Sequence, residues 1–132
     1  SHTGVDNIRD EIIDKALYPP TALRKKIYVI DEVHMLSKGA FNALLKTIEE
    51  PKSDVCFILA TTELHKVPDT IISRCQVFNY RKVAHDAMVA HLEKICSEEG
   101  LKATRPALEI IANISEGHVR DAVKYIDQVS IL

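Results

Sequence analysis

The chain has 132 residues, of which 46% are hydrophobic and 27% charged, with a formal net charge of −2. These are the proportions of an ordinary globular chain of one domain, or one and a half small ones, and they exclude a disordered polymer. The 17 Lys and Arg against 19 Asp and Glu exclude the basic footprint of a free-standing nucleic-acid binder. Local clusters such as Arg24-Lys25-Lys26 and Arg81-Lys82 are offset by flanking acids. No apolar run approaches the ~20 residues that span a bilayer, and the opening dozen residues are too polar for a secretory leader. The three cysteines are widely spaced and form no CxxC pair, which points to a cytoplasmic protein without a zinc site. Cys56 and Cys96 are expected to be buried as small hydrophobes.

In chain order, residues 6–17 carry Ile8, Ile12, Ile13, Ala16 and Leu17 at helical spacing, between a capping Asp6 and Pro19-Pro20. The run Ile27-Tyr28-Val29-Ile30 predicts a strand buried on both faces of a parallel sheet, closed by Asp31-Glu32. Residues 37–50 predict a helix: Ser37 is the cap, Phe41, Leu44, Leu45 and Ile48 keep the i, i+3, i+4, i+7 pattern, and Pro51 stops it. Residues 55–60 predict a second buried strand, 68–73 a short helix and 76–80 a third, partly exposed strand. Alternation of strand and helix implies crossovers and a parallel sheet.

Beyond about residue 83 the pattern is helical throughout. The first segment carries Met88, Leu92, Ile95 and Cys96 and ends at Gly100. The second starts near Thr104 with Pro106 in its first turn and carries Ala107, Ile110, Ile111 and Ile114. The third follows Gly117 and carries Val119, Ala122, Val123, Ile126 and Val129. An α/β unit over 1–82 and a small helical unit over 83–132 are therefore expected.

Four constellations carry possible chemistry. Asp31 and Glu32 close a strand at the sheet edge where open α/β sheets bind ligands. Asp31 there can hold Mg²⁺ directly or through water, and Glu32 can polarise a water that attacks a γ-phosphate; a strand ending in solvated acids is the alternative. Thr61 and Thr62 follow the next strand at the same edge, where a hydroxyl can meet a phosphate or its attacking water, or serve only turn chemistry. Arg74, in Ser73-Arg74-Cys75, can project its planar guanidinium at a transferring phosphoryl group, or pair locally with Asp69 or Glu63. Arg120, at the start of the last helix, can reach a phosphate, or pair with Asp121 or Glu116. His34 reads as a packed or loop histidine.

The order of these pieces is that of an AAA+ nucleotide-hydrolysis module. The stretch Asp31-Glu32-Val33-His34-Met35-Leu36-Ser37, followed by Phe41-Asn42-Ala43-Leu44-Leu45-Lys46-Thr47-Ile48-Glu49-Glu50-Pro51, closely resembles the clamp-loader ATPases. With Phe57-Ile58-Leu59-Ala60-Thr61-Thr62-Glu63 and Ser73-Arg74-Cys75, the resemblance is closest to the gamma/tau type of bacterial DNA polymerase III, over nearly the whole chain. It implies an α/β fold: a partial parallel three-layer AAA+ (P-loop NTPase) core followed by a three-helix lid. It also implies an ATPase that uses ATP and Mg²⁺ within a DNA-directed DNA polymerase holoenzyme. Its partners would be the other subunits of a five-membered ring, a sliding clamp and primer-template DNA, with no membrane involved. Asp31 and Glu32 match the Walker B acids, Thr61 (less closely Thr62) the sensor 1 position, Arg74 the arginine finger that acts on a neighbour's ATP, and Arg120 the sensor 2 arginine. Lys38 and Lys46 are candidates for phosphate contacts with DNA, and equally for solvated lysines on a polar face.

One departure is large. The family cradles phosphates with a GxxxxGK[ST] loop, and none of the four glycines begins one. The family's four-cysteine zinc module is absent too. The expectation is a C-terminal piece of the ATPase core with its lid, inactive alone, with an exposed sheet edge and apolar face that favour self-association. Alternatives are a non-hydrolysing delta-prime type of subunit that supplies its arginine in trans, and another AAA+ machine such as a branch-migration helicase.

Overall fold

Two apolar runs rich in β-branched and aromatic residues pair as parallel strands, β1 (Lys26–Ile30) and β2 (Val55–Leu59), in the register Tyr28↔Phe57 and Ile30↔Leu59. The structure, a computed structural model, describes residues 12, 24–52 and 54–131. Helix α1 (Lys38–Glu49) lies between the strands in sequence and supplies the crossover that parallel pairing requires. Its start is capped as expected, the Ala40 N–H donating to Ser37 Oγ at 3.2 Å. A four-residue helix, α2 (Asp69–Ile72), follows β2.

Helix α1 buries Ala40, Phe41 and Leu44. Phe41 joins Val33, Val67 and Ile71 in one cluster, with Ile30, Leu45, Ile48 and Leu59 packed against it. Ala40 and Leu44 form an adjoining cluster that takes in Phe57 and Ile12. The helix expected over 6–17 otherwise lies outside the described residues. The rings of Tyr28 and Phe57 stack at 5.5 Å between centroids on this covered face.

The other sheet face corrects the reading of strands buried on both sides. Ile27 is 60% and Val29 65% exposed, Ile58 is exposed, and Cys56 is exposed rather than buried. Successive strand residues point to opposite faces, and the helices of this unit that the structure describes pack against one of them. The expected third strand over 76–80 is also absent: Val77, Phe78 and Tyr80 are exposed in an irregular segment. Its residues suit a strand, but a strand exists only by pairing, and among the described residues the sheet has two members.

The chain divides into two compact units, Ser1–Phe78 and Asn79–Leu132. The second contains α3 (His85–Glu98), α4 (Arg105–Ile114) and α5 (Val119–Ser130). Met88, Val89, Leu92 and Cys96 of α3 pack with Leu108, Ile111 and Ala112 of α4 and with Ala122 and Ile126 of α5. Ile110 and Ile114 were expected in this core and are exposed instead. Helix α4 is apolar around much of its circumference, and the face actually buried is the one carrying Leu108. Thr104 Oγ1 caps α4, accepting from the Ala107 N–H, and Gly100 ends α3 in the left-handed conformation at φ 68°. Gly117, at φ 82°, accepts from the Val83 N–H at 3.1 Å. A Cβ there would stand 2.6 Å from Lys82 Cβ, so this close approach requires glycine. No helix among the described residues is long and apolar enough to cross a membrane.

Candidate functional site

Parallel pairing brings the carboxyl ends of β1 and β2 side by side. The pairing runs on past the strands: the Ala60 N–H donates to Ile30 O at 2.9 Å and the Val33 N–H to Ala60 O at 2.9 Å. Asp31 and Glu32 therefore leave one strand beside Thr61, Thr62 and Glu63 leaving the other. The chain must turn sharply between β1 and the one-turn helix Val33–Met35 that covers the edge. Glu32 makes that turn at φ 51°, ψ 43°, a left-handed conformation that costs a non-glycine residue about 1–2 kcal/mol. The Glu32 N–H donates to Asp31 Oδ1 at 2.9 Å, which offsets part of that cost.

His34 ties the two strand ends together. Its Nδ1 lies 2.8 Å from Thr61 Oγ1. Its Nε2 lies 3.4 Å from Glu32 Oε2 and 3.3 Å from Glu63 Oε2. The ring is nearly covered, its side chain 5% exposed, whereas Asp31, Glu32 and Thr62 are exposed. Thr61 Oγ1 also accepts from the Glu63 N–H at 2.9 Å, a turn that aims the hydroxyl at the ring. Glu63 is held from its far side by Lys66 at 3.0 Å. That hydrogen bond, together with the positive charge of Lys66, outweighs desolvation and keeps the Glu63 carboxyl below its ordinary value of 4.5.

The residues singled out in the sequence thus divide. Asp31, Glu32 and Thr61 come together at one edge, with Glu32 and Thr61 joined through His34 and Asp31 holding the Glu32 N–H. Thr62 follows on the exposed side, with no side-chain hydrogen bond among the described residues. Arg74 does not join this group. It leaves the end of α2, donates through Nη1 to Thr70 O at 2.8 Å, and pairs through Nη2 with Glu49 Oε1 at 2.7 Å. The partners expected from sequence, Asp69 and Glu63, are therefore corrected to Glu49. Glu49 is the last residue of α1, about 16 Å of helix from Lys38 at the start. In the second unit Arg120 is exposed in the first turn of α5 and has no ion pair among the described residues, against the expected pairing with Asp121 or Glu116. Lys38 and Lys46 are exposed on α1.

Sequence reading missed His34 and the part played by Glu63. The only available signal was a histidine three residues beyond Asp31. Its partner Thr61 is 27 residues away, a pairing that periodicity cannot reveal.

The donor set at this edge fits Mg²⁺. Asp31 is an exposed hard-oxygen ligand with one carboxylate oxygen committed to the Glu32 N–H and the other without a partner among the described residues. Mg²⁺ is commonly held by one or two carboxylates, its own waters and substrate phosphates.

Comparison with known proteins accounts for both units. Residues 1–84 match the family described as "DNA polymerase III, delta subunit", and residues 87–131 match "DNA polymerase III clamp loader subunit, ATPase lid domain". The chain is 54% identical to the DNA polymerase III subunit tau of Bacillus subtilis over 97% of its own length and 23% of the relative's. It is 45% identical to the subunit tau of Escherichia coli, over 97% of its length and 20% of the relative's. The chain thus spans about a fifth to a quarter of the length of these relatives. Among solved structures, the RuvB Holliday junction branch migration motor of Thermotoga maritima superposes with a TM-score of 0.68 at 23% identity, over 79% of this chain and 37% of that one. A DNA polymerase III gamma subunit-related protein of the same organism gives a TM-score of 0.52 at 21% identity, over 95% and 57%. At such identities the likeness shows the fold alone: part of a parallel AAA+ core followed by a helical lid.

Proposed function

Since the chain belongs to the family of DNA polymerase III clamp-loader subunits, we propose that it is part of a gamma/tau-type subunit that uses ATP to load a sliding clamp on primed DNA. Residues 1–82 are the C-terminal part of the hydrolysis core and 83–132 its lid. The parent protein acts in the cytoplasm within a five-membered ring, serving the nucleotidyl-transferring holoenzyme as its ATP-driven loader. It meets the clamp and primer-template DNA there.

The observation that carries this reading is the joining of Asp31, Glu32 and Thr61 at the carboxyl edge of two parallel strands. Asp31 would hold Mg²⁺, directly or through water, and Mg²⁺ when bound neutralises charge on the phosphates. Glu32, exposed at the edge, takes the proton of an attacking water as general base. Thr61 contacts that water or the terminal phosphate, with Thr62 the less favoured neighbour. Arg74 is proposed to act on nucleotide held by the adjacent subunit, because its anchor on Glu49 belongs to the far end of α1. Arg120 is proposed to contact phosphate from the lid. Lys38 and Lys46 are candidates for salt-sensitive contacts with the DNA backbone.

The match of residues 1–84 to a delta-subunit family favours one second reading, a non-hydrolysing subunit that supplies only Arg74 in trans. One experiment separates the two. In the full-length protein within its assembled ring, Glu32→Gln should keep ATP binding and lower turnover by at least about 100-fold. Unchanged turnover would reject the hydrolysing role.

A further inference from the structure

His34 is left without a task by the reading above, yet every polar atom of its ring is engaged. Two carboxylate oxygens face Nε2, at 3.4 Å from Glu32 and 3.3 Å from Glu63, and they favour a hydrogen on that nitrogen. In the neutral ring Nδ1 is then an acceptor, and the Thr61 hydroxyl donates to it at 2.8 Å. Thr61 Oγ1 already accepts from the Glu63 N–H. Its hydrogen is therefore committed to the ring, and what it has left to offer is a lone pair.

The contacts at Nε2 are longer than the 2.7–2.9 Å typical of a charge-assisted hydrogen bond, because one N–H is shared between two acids. Glu63 is fixed by Lys66 at 3.0 Å, whereas Glu32 has no other side-chain partner among the described residues. Glu32 can leave without stranding a buried donor, since Glu63 keeps the N–H satisfied. A lone carboxylate in place of the pair would hold Glu32 to the ring.

From these contacts we infer that His34 is a positioning residue for hydrolysis, fixing the Thr61 hydroxyl so that it presents a lone pair to the attacking water, while the second acid, Glu63, frees Glu32 to take the water's proton. This rests on the reading of the edge as an ATP-hydrolysis site. It assigns sensing at Thr61 to acceptance from water rather than donation to phosphate.

The test uses the full-length protein in its assembled ring, with ATP turnover and ATP binding measured separately. His34→Ala should lower kcat about tenfold or more, the size of one lost polar contact in the transition state, and leave the Kd for ATP within about twofold. His34→Asn places an amide oxygen near the position of Nδ1 and should recover most of the loss; His34→Gln reaches towards the Nε2 position instead and should recover less. Thr61→Val added to His34→Ala should cost nothing further, because both remove the same contact. A wild-type kcat in His34→Ala overturns the inference. So does equal activity of the Asn and Gln variants, or losses from His34→Ala and Thr61→Val that multiply. Glu32→Gln distinguishes the two levels: if it turns over ATP normally the site reading falls and the inference with it, and if it is inactive while His34→Ala is normal only the role of His34 falls.

Discussion

Replacing Arg74 by alanine separates stability from catalysis, because its contacts within this chain are modest. The guanidinium pairs with Glu49 at 2.7 Å with both side chains 40% exposed, and it adds a hydrogen bond to Thr70 O. Solvent screens such a pair, which contributes about 0.2–1 kcal/mol. Arg74→Ala should therefore lower the melting temperature by only a few degrees. A finger arginine acting across a ring contributes 10³–10⁵ in turnover, about 4–7 kcal/mol at 1.36 kcal/mol per tenfold. That is several times what is needed to draw Arg74 off Glu49. Steady-state ATP hydrolysis by the assembled ring should thus fall at least about 10³-fold at sites next to an Arg74→Ala subunit. Glu49→Ala supplies the control: it removes the same ion pair, should cost the same few degrees, and should leave turnover within about twofold of wild type. Equal loss of turnover in the two variants would mean that the ion pair, not the finger, matters. Full turnover in Arg74→Ala would refute the assignment.

Three further outcomes follow from the geometry. Gly117→Ala should destabilise the full-length protein by more than the about 1–2 kcal/mol of a left-handed alanine, because the new Cβ would stand 2.6 Å from Lys82 Cβ. Gly100→Ala, at φ 68° with open space around it, should cost only the conformational part, and urea denaturation compares the two. Glu63 has a folded pKa below 4.5, so its contribution to stability is complete well above pH 4.5 and is lost as pH falls through the lowered value. Lys66→Ala should raise that pKa towards 4.5, read from the carboxyl carbon shift in an NMR titration; an unmoved titration would refute the cause given. The 132-residue chain by itself, whose sequence holds no GxxxxGK[ST] loop, should turn over no measurable ATP. Turnover that survives Glu32→Gln would contradict the role given to that residue.

Much of the first unit was legible because it rests on local signals. Ser37, the spacing of Phe41, Leu44 and Ile48, and Pro51 determine α1 within a residue or two. The apolar runs before Asp31 and Thr61 determine the two strands, and parallel pairing then puts the acids and the threonine at one edge without further information. Whatever needs a distant partner was not legible. A continuous run such as Val55-Cys56-Phe57-Ile58-Leu59 does not say which face is covered, and Cys56 and Ile58 lie on the uncovered one. Residues 76–80 have the composition of a strand but no neighbour to pair with among the described residues. Ile110 and Ile114 fit helical spacing as well as Leu108 and Ile111 do, and only packing against α3 and α5 decides between them. His34 and Thr61 meet across 27 residues, and Arg74 meets Glu49 across the stretch of chain that holds β2 and α2, a pairing that no motif signals.

The edge formed by Asp31, Glu32 and Thr61 is the proposed place of ATP hydrolysis. A crystal structure of the full-length protein with a non-hydrolysable ATP analogue and Mn²⁺ in place of Mg²⁺ tests it most directly, because Mn²⁺ is located by its anomalous scattering. The predicted result is a metal peak joined to the Asp31 carboxylate directly or through one water, with the terminal phosphate beside Glu32 and Thr61. A metal and phosphate bound away from this edge, with Asp31 and Glu32 facing only solvent, would contradict it.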